Sequence, residues 1–302
     1  MRILIVNNLD SGLGDNPVFA FAREVSRFAT EIVIRSTTKE GDPRAFLYDA
    51  DTFDAVVCAG GDGTCAGIAH MMAYTEIPIL PYPAGTGNLL TINLMQPTDD
   101  PALAKMLKNC QTLDFDIGEL MFEDGKTQGF TIMAGCGYDA AIMRDADVSK
   151  KILGPISYAT AAVANFAPTH SQIDLTIDGR EIHTSGVGIL LVNFSRIQFD
   201  LQVVHENKPR DGLFEVVVLH TKDAFGLIPA LFAAMLDRGG EFPERSDAFK
   251  IYSGREIHVT ADPPLPIQFD GELANESTPF TATVKQEASK FIICNDAYSF
   301  YN

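Results

Sequence analysis

The chain has 302 residues, of which 46% are hydrophobic and 21% charged, and its formal net charge is −17 from 23 basic and 40 acidic residues. This length and apolar content suit one large or two ordinary globular domains and exclude a largely disordered chain. A strongly acidic surface repels phosphate, so we expect no nucleic-acid partner and no strong electrostatic docking on anionic lipid.

The five cysteines are scattered and include no CxxC pair, which indicates neither a zinc site nor a disulfide framework. Reduced thiols are typical of a cytosolic protein, so we expect a cytoplasmic location. The start of the chain, 1–6, is too short for a signal peptide and is typical of a strand. The longest apolar run, 224–236, is too short to span a bilayer and predicts a buried helix, with a lipid-facing helix as the alternative.

Up to about residue 115, short apolar runs alternate with helical patterns. The predicted strands are 2–7, 31–35, 54–59 and 77–82, and the predicted helices are 17–29, 65–74, 88–94 and 101–109. Alternation of this kind predicts a parallel sheet with helices on its faces.

The rest of the chain is richer in strand-like runs separated by turns. The predicted strands are 118–122, 128–134, 173–177, 186–193, 213–220, 256–261, 267–270 and 280–284, with helices near 138–144, 156–166 and 224–236. Such a series predicts an antiparallel sandwich or barrel. We therefore predict an α/β domain over 1–115 and a β-rich sandwich domain over 116–290.

The sharpest motif is Gly60-Gly61-Asp62-Gly63-Thr64, between a predicted strand and a predicted helix. Glycines let backbone N–H groups approach a phosphate closely, and the start of a helix favours an anion. A bare carboxylate would repel phosphate, so Asp62 indicates either a Mg²⁺ ion between the two or a role in orienting the turn. The Thr64 hydroxyl can cap the helix or contact a phosphate.

A second turn of similar composition, 83–88, follows the next predicted strand, and a third, 7–14, follows the first strand. Parallel strands present such turns at one edge of the sheet, where α/β proteins bind ligands, so the three turns predict a phosphate cradle. The alternative is that the glycines serve only the geometry of tight strand-to-helix turns. No GxxxxGK[ST] sequence occurs.

Together these motifs resemble the diacylglycerol kinase catalytic-domain family, which includes bacterial diacylglycerol kinases and sphingosine-type lipid kinases and shares a superfamily with NAD kinases. The resemblance covers nearly the whole chain in the family's order, and GGDGT with GTGN is its most specific part. The matching segments are 8–14, 37–42, 60–64, 83–88, 135–140, 211–212 and 270–272.

The resemblance implies an NAD-kinase-like α/β nucleotide domain with a parallel sheet, a β-sandwich domain for the lipid substrate, and an active site between them. It also implies that the tail, 291–302, returns to complete the first domain. The implied cofactors are ATP and Mg²⁺. The residues implied to bind ATP are Asn8, Ser11, Gly12, Thr38, Gly61, Asp62, Gly63, Thr64, Thr86, Gly87 and Asn88.

By the same resemblance, Asp270 is the catalytic base and Glu272 supports it, while Asp62 and Asp211 are metal ligands. Phosphoryl transfer needs a group that orients the acceptor hydroxyl and takes its proton. Taken alone, Asp270-Gly271-Glu272 is also compatible with an ordinary hairpin turn.

The sequence departs from the family pattern at three places. Related kinases carry a run of glycines after the position of Asn193, whereas this chain continues Phe194-Ser195-Arg196. They carry paired acids where this chain has only Asp211, and an Asn-Glu pair where the helix after Thr64 has Ala66-Gly67. These changes bear on the activity and the substrate more than on the fold.

We therefore predict a lipid kinase that transfers the γ-phosphoryl group of ATP to a hydroxyl of a lipid alcohol such as diacylglycerol. The substrate would be reached at the membrane surface, by a cytoplasmic protein that can lie on the inner face of the membrane, and a homodimer is left open. Two alternatives are an NAD kinase and a catalytically silent homologue that binds nucleotide or lipid.

Overall fold

The computed structural model describes residues 1–11, 17–37, 44–137, 169–197, 201–202, 208–220 and 249–302. The helices predicted near 138–144, 156–166 and 224–236 lie outside the described residues, as do Gly12 and Thr38.

The N-terminal part contains the predicted parallel sheet, which is confirmed. Its strands are β1 (Arg2–Asn8), β2 (Glu31–Thr37), β3 (Ala55–Gly60) and β4 (Ile79–Pro83), in the order β2-β1-β3-β4. All pairings among them are parallel. Every residue of β3 is buried, as expected for a strand covered on both faces.

Helices follow these strands. They are α1 (Val18–Val25), α2 (Arg44–Leu47), α3 (Asp62–Met71), α4 (Leu89–Asn93) and α5 (Asp100–Asn109), with a 3₁₀ turn at Ala50–Thr52. α1 ends earlier than predicted, in tight turns over 26–29. α3 begins three residues earlier than predicted, because Gly61 is extended and the helix starts within the glycine motif.

The C-terminal part forms the predicted antiparallel sandwich. Its strands are β5 (Thr112–Phe122), β6 (Thr127–Phe130), β7 (Met133–Gly137), β8 (Ser171–Ile177), β9 (Arg180–Gly186), β10 (Gly188–Val192), β11 (Arg196–Ile197), β12 (Leu201–Gln202), β13 (Phe214–Leu219), β14 (Phe249–Gly254), β15 (Glu256–Asp262), β16 (Pro266–Phe269), β17 (Glu272–Ser277) and β18 (Phe280–Ile292). One layer is a six-stranded sheet in the order β14-β13-β10-β7-β16-β17. Apolar side chains from this sheet and from β5, β8, β15 and β18 share one core.

The strand predicted over 128–134 is two strands, because Thr131 and Ile132 leave the ladder between β6 and β7. Their backbone N–H groups bind the carboxylate of Asp270 instead of a neighbouring strand. This interruption is a feature of the candidate site.

Two long strands join the parts. β18 pairs antiparallel with β5 and β15, and its Phe291 pairs in parallel with Ile79 of β4. After it, the helix α6 (Asn295–Tyr301) packs back on the first part, and the Tyr301 hydroxyl donates to the carbonyl oxygen of Asn93 at 2.7 Å. The predicted limits at 115/116 and 290/291 fall inside β5 and β18, so the division into two domains stays a prediction.

Within the part of the chain that the structure describes, no helix has the length and apolar character needed to cross a membrane.

Candidate active site

The turns after β1 and β3 are hydrogen-bonded to each other. The Nδ2 of Asn8 donates to the Thr64 hydroxyl at 2.8 Å, and the Ser11 hydroxyl accepts from the backbone N–H of Gly61 at 3.1 Å. Because β1 and β3 are adjacent and parallel, both turns leave the sheet at the same edge.

The turn after β4 packs against the same place. A Cβ added to Gly85 would lie 2.5 Å from Gly61 Cα, so the two backbones touch in a way that only glycine allows. Asn88 fixes this turn through its amide, which accepts from Gly85 N and donates to Gly85 O, each at 2.8 Å. Asn88 itself has φ +51, a left-handed conformation that asparagine tolerates.

Asp62 joins the turn after β3 to the turn after β4. Its Oδ1 accepts from the backbone N–H of Leu90 at 2.9 Å, and a Cβ added to Gly87 would lie 3.2 Å from its Oδ2. Burial raises the pKa of Asp62, while backbone N–H groups at the start of α4 oppose this rise. Thr86 is exposed at the tip of the same turn.

Asp270 approaches from the sandwich. The turn that carries it connects β16 to β17, and the residue has φ +43 and is 8% exposed. Its Oδ2 accepts from the backbone N–H of Thr131 at 2.6 Å and from the Thr131 hydroxyl at 2.9 Å. Its Oδ1 accepts from the N–H groups of Ile132 at 2.8 Å and Met133 at 3.0 Å.

Burial raises the pKa of Asp270 to about 7, against the opposing effect of the three backbone N–H donors, and the nearby charge of Asp62 raises it further. The carboxyl group therefore changes charge near neutral pH, which suits a proton acceptor. Four donors occupy all its acceptor positions, and only the Thr131 hydroxyl can rotate away without moving the backbone.

Glu272 connects the two sides of the site. It begins β17, and a Cβ added to Gly63 would lie only 2.3 Å from its Oε1. The Asp270-Gly271-Glu272 turn therefore lies against the glycine motif at the start of α3.

Asp211 lies elsewhere. Its side chain is exposed and accepts from the backbone N–H of Leu213 at 3.0 Å. Among the contacts that the structure describes, none joins Asp211 directly to Asp270. The next residue, Gly212, donates to Oδ2 of the fully buried Asp116 at 2.6 Å, and burial raises the pKa of that carboxyl.

Arg210 stands directly before Asp211. Its guanidinium donates to the carbonyl oxygens of Asp114 at 2.6 Å and Tyr301 at 3.2 Å, and to the carboxylate of Glu287 at 3.2 Å. The positively charged side chain of Arg210 thus links β5, β18 and α6.

Over the described ranges, no group of three or more His, Cys, Asp or Glu side chains is arranged to hold a metal ion. Mg²⁺ commonly takes one or two carboxylates and completes its shell with phosphate oxygens and water, so Asp62 alone fits an ion bound to a nucleotide. Around Asp211 the fit is poor, because Asp116 accepts backbone N–H groups with both oxygens and Glu287 pairs with Arg210. The metal roles of Asp62 and Asp211 stay predictions.

The structure therefore brings together most of the residues predicted from the motifs, although their roles stay predictions. They are Asn8, Ser11, Gly61, Asp62, Gly63, Thr64, Gly87, Asn88, Asp270 and Glu272. Sequence reasoning missed Thr131, which lies inside a predicted strand. Asn193 entered the sequence analysis only as the residue after which the chain departs from the family pattern.

Two family models match the chain. Residues 2–120 match the model described as the diacylglycerol kinase catalytic domain. Residues 132–293 match the model described as the YegS C-terminal NAD kinase beta sandwich-like domain.

Two relatives are similar over most of this chain. An uncharacterized protein of Synechocystis sp. is 26% identical over 280 residues, which are 89% of this chain and 61% of that protein. The chain thus spans less than two thirds of that relative. A Staphylococcus aureus protein named "Putative lipid kinase" is 22% identical over 300 residues, which are 96% of this chain and 94% of that protein.

Two solved structures have the same fold. A diacylglycerol kinase from Bacillus anthracis has a TM-score of 0.78 and 21% identity, with 98% of each chain covered. An NAD kinase from Archaeoglobus fulgidus, solved in complex with ATP, has a TM-score of 0.57 and 14% identity, with 99% of this chain and 96% of that chain covered. At these identities the likeness concerns the fold alone.

Proposed function

Because the chain belongs to the diacylglycerol kinase catalytic-domain family, with the YegS-type NAD kinase-like sandwich as its C-terminal part, we propose that it transfers the γ-phosphoryl group of ATP to a hydroxyl of a lipid alcohol. Diacylglycerol is the default acceptor, and sphingoid bases or other lipid alcohols fit the same chemistry.

One observation carries the proposal. The Asp270-Gly271-Glu272 turn of the sandwich lies against the glycine motif at the start of α3, where Glu272 contacts Gly63 and the charge of Asp62 reaches Asp270. A nucleotide held by the glycine turns would thus have an ionisable carboxyl beside it. A protein that only binds nucleotide would not need an ionisable carboxyl group next to the nucleotide site.

The three glycine turns would bind the nucleotide. Backbone N–H groups of Gly63 and Thr64 lie in the first turn of α3, a helix of ten residues whose N-terminus favours phosphate. Asn8, Ser11, Thr86, Gly87 and Asn88 would complete the ATP contacts. When bound to the nucleotide, Mg²⁺ would neutralise phosphate charge, with Asp62 as its protein ligand.

Asp270 would accept the proton of the lipid hydroxyl. Since all four acceptor positions of its carboxylate are occupied, the substrate hydroxyl would replace the Thr131 hydroxyl on Oδ2. The three backbone N–H groups would stay in place and keep the carboxylate oriented during this exchange. Glu272 would support the turn from the nucleotide side.

The test is a transfer assay. Purified protein is given radiolabelled ATP, Mg²⁺ and a total bacterial lipid extract, and the same assay is run with Asp270→Asn. We expect a labelled phospholipid with the wild type and almost none with the variant. Equal labelling by the two proteins would remove Asp270 from the base role, and retention of ATP without any labelled product would support the silent-homologue alternative.

A second candidate is NAD phosphorylation, favoured by the NAD kinase-like family of the sandwich part. Against it, the sequence lacks an evident nicotinamide-side signature and its Asp-Gly-Glu end matches the lipid branch. Adding NAD to the same assay separates the two, because a labelled NADP product in place of a labelled lipid would overturn the lipid assignment. Action at the inner face of the membrane remains part of the proposal, and a homodimer stays open.

A further inference from the structure

The carboxylate of Asp270 is placed by a short link rather than by its own strand. Its four donors all belong to a short segment, the 131–133 link, made of Thr131 and Ile132 between β6 and β7 and of Met133, the first residue of β7. Whatever fixes this 131–133 link therefore fixes the carboxylate.

Asn193 holds the opposite side of the same peptide groups. Its Nδ2 donates to the carbonyl of Thr131 at 2.7 Å, and the backbone N–H groups of Asn193 and of the next residue donate to the carbonyl of Ile132 at 2.9 and 3.0 Å. The Thr131 carbonyl and the Ile132 N–H form one peptide group, and the Ile132 carbonyl and the Met133 N–H form the next. Two consecutive peptide groups are thus bonded to Asn193 on one side and to Asp270 Oδ1 on the other.

Hydrogen bonds arranged in series polarise one another, so a donor at a carbonyl makes the N–H of the same peptide group a stronger donor. Through this relay, Asn193 strengthens the two bonds to Asp270 Oδ1 without touching the carboxylate.

Asn193 is itself held rigidly. It is fully buried, and its Nδ2 also donates to the carbonyl of Asp116 on β5 at 2.8 Å. The carbonyls of Asp116 and Thr131 fix the orientation of the amide, because a flipped amide would place Oδ1 against both carbonyl oxygens. Its Oδ1 is buried with no partner among the described residues, which offsets much of the stability gained from the two donated bonds. The amide is therefore better explained by what it positions than by its net effect on folding.

We propose that Asn193 is a positioning residue for the transfer reaction, acting through the 131–133 link to aim and polarise the donors that hold Asp270. This rests on the proposed function, because it takes Asp270 as the proton acceptor. The titratable groups facing Asp270 from α3 are Asp62 and Cys65. Neither residue is altered in the Asn193 variants.

The test uses Asn193→Leu, which keeps the size and removes the amide N–H groups that donate to the carbonyls of Thr131 and Asp116, and Asn193→Ser, whose hydroxyl keeps one side-chain donor. The backbone donors to the Ile132 carbonyl remain in both variants, so the bond that weakens is the one from the Ile132 N–H to Asp270 Oδ1.

The matched control is Gln96→Met. Gln96 also has a side-chain amide that donates to one backbone carbonyl, that of Ile292 at 3.3 Å, and a buried Oε1 without a partner among the described residues. Melting curves establish that each variant folds, and Asn193→Ser carries the test if the leucine variant does not.

The first readout needs no turnover. In protein labelled with ¹³C at aspartate carboxyls, the signal of Asp270 is assigned by its loss in Asp270→Asn and followed through a pH titration. Weaker donors stabilise the ionised form less, so we expect the pKa of Asp270 to rise by about one unit in Asn193→Leu. The rise should be smaller in Asn193→Ser and absent in Gln96→Met.

The second readout is the pH profile of lipid phosphorylation. The acid limb of kcat/KM for the lipid should move with the pKa, giving about a tenfold loss below pH 7, while KM for ATP stays unchanged. A pKa that does not move in either folded Asn193 variant would overturn the inference. If the pKa of Asp270 shifts but the wild-type protein phosphorylates no lipid, the lipid kinase assignment is wrong. The positioning of Asp270 by Asn193 would still be supported.

Discussion

The two sides of the candidate site are held by contacts of very different range. On the nucleotide side, Asn88 fixes its own turn through Gly85, three residues away, and neighbouring turns meet because their strands are adjacent. On the other side, Asp270 is held by Thr131–Met133, more than 130 residues earlier, and that link is held by Asn193. The residues of the nucleotide side lie in contiguous sequence motifs, whereas the surroundings of Asp270 form only when the sandwich folds.

This difference predicts two kinds of failure. Changes in the glycine turns should weaken nucleotide binding, because the turns would form the binding surface. Changes around Asp270 should slow transfer and leave nucleotide affinity almost intact. The following variants test whether the two kinds of failure are separate.

The largest effect is expected from Asp270→Asn. Loss of a general base usually slows a reaction by about 10²–10⁴-fold, so we expect kcat to fall about a thousandfold while ATP affinity, measured by calorimetry, changes little. The control is Asp178→Asn. Asp178 also has a positive φ, of 48°, and a carboxylate that accepts backbone N–H groups, those of Arg255 and Glu256 at 2.9–3.1 Å. An equal loss in both variants would show a general folding defect.

The next effect is the pH dependence of the reaction. Since the pKa of Asp270 is raised to about 7, the carboxyl is protonated below that pH and cannot accept a proton. We expect kcat/KM to rise about tenfold per pH unit up to neutrality and then to level off. The residual activity of Asp270→Asn should lack this limb. If the acid limb persists in the variant, the titration of a group other than Asp270 causes it.

Gly85→Ala should damage the nucleotide side. Its Cβ would lie 2.5 Å from Gly61 Cα, so the two turns must separate. Overpacking of this kind costs about 1–3 kcal/mol, which corresponds to roughly ten- to hundredfold in ATP affinity if the strain falls on binding. The control is Gly67→Ala in α3, where nothing lies within 4 Å of the added Cβ. Unchanged ATP binding in the folded Gly85 variant would contradict the proposed role of the turns.

Thr131→Val should have the smallest effect. It removes the hydroxyl that donates to Asp270 Oδ2 and keeps the shape of the side chain. We expect a loss of about 1 kcal/mol in the free energy of unfolding and an upward shift of the acid limb of activity, since one stabilising donor is gone. Thr131→Ser, which retains the hydroxyl, should behave almost like the wild type. A downward shift of the limb in Thr131→Val would contradict the arrangement of donors.

The same difference in range explains what the sequence could predict. The parallel sheet and the glycine turns follow from local patterns, and the GGDGT motif located α3 to within three residues. The break at Thr131 and Ile132 could not be predicted, because it is caused by a carboxylate far along the chain and the segment reads locally as one strand. Asn193 was visible only as the residue before a departure from the family pattern, and its contacts could not be predicted because its two carbonyl partners are 62 and 77 residues away.

If the glycine turns and Asp270 form one site around a nucleotide, a metal ion bound with that nucleotide must lie close to the Asp270 carboxyl. The most direct measurement adds ATP with paramagnetic Mn²⁺ to protein labelled with ¹³C at aspartate carboxyls. We expect the signal of Asp270 to broaden strongly when the nucleotide binds, while that of Asp178 in the sandwich stays sharp. A nucleotide that binds and leaves Asp270 as sharp as Asp178 would show that the glycine turns and Asp270 do not form one site.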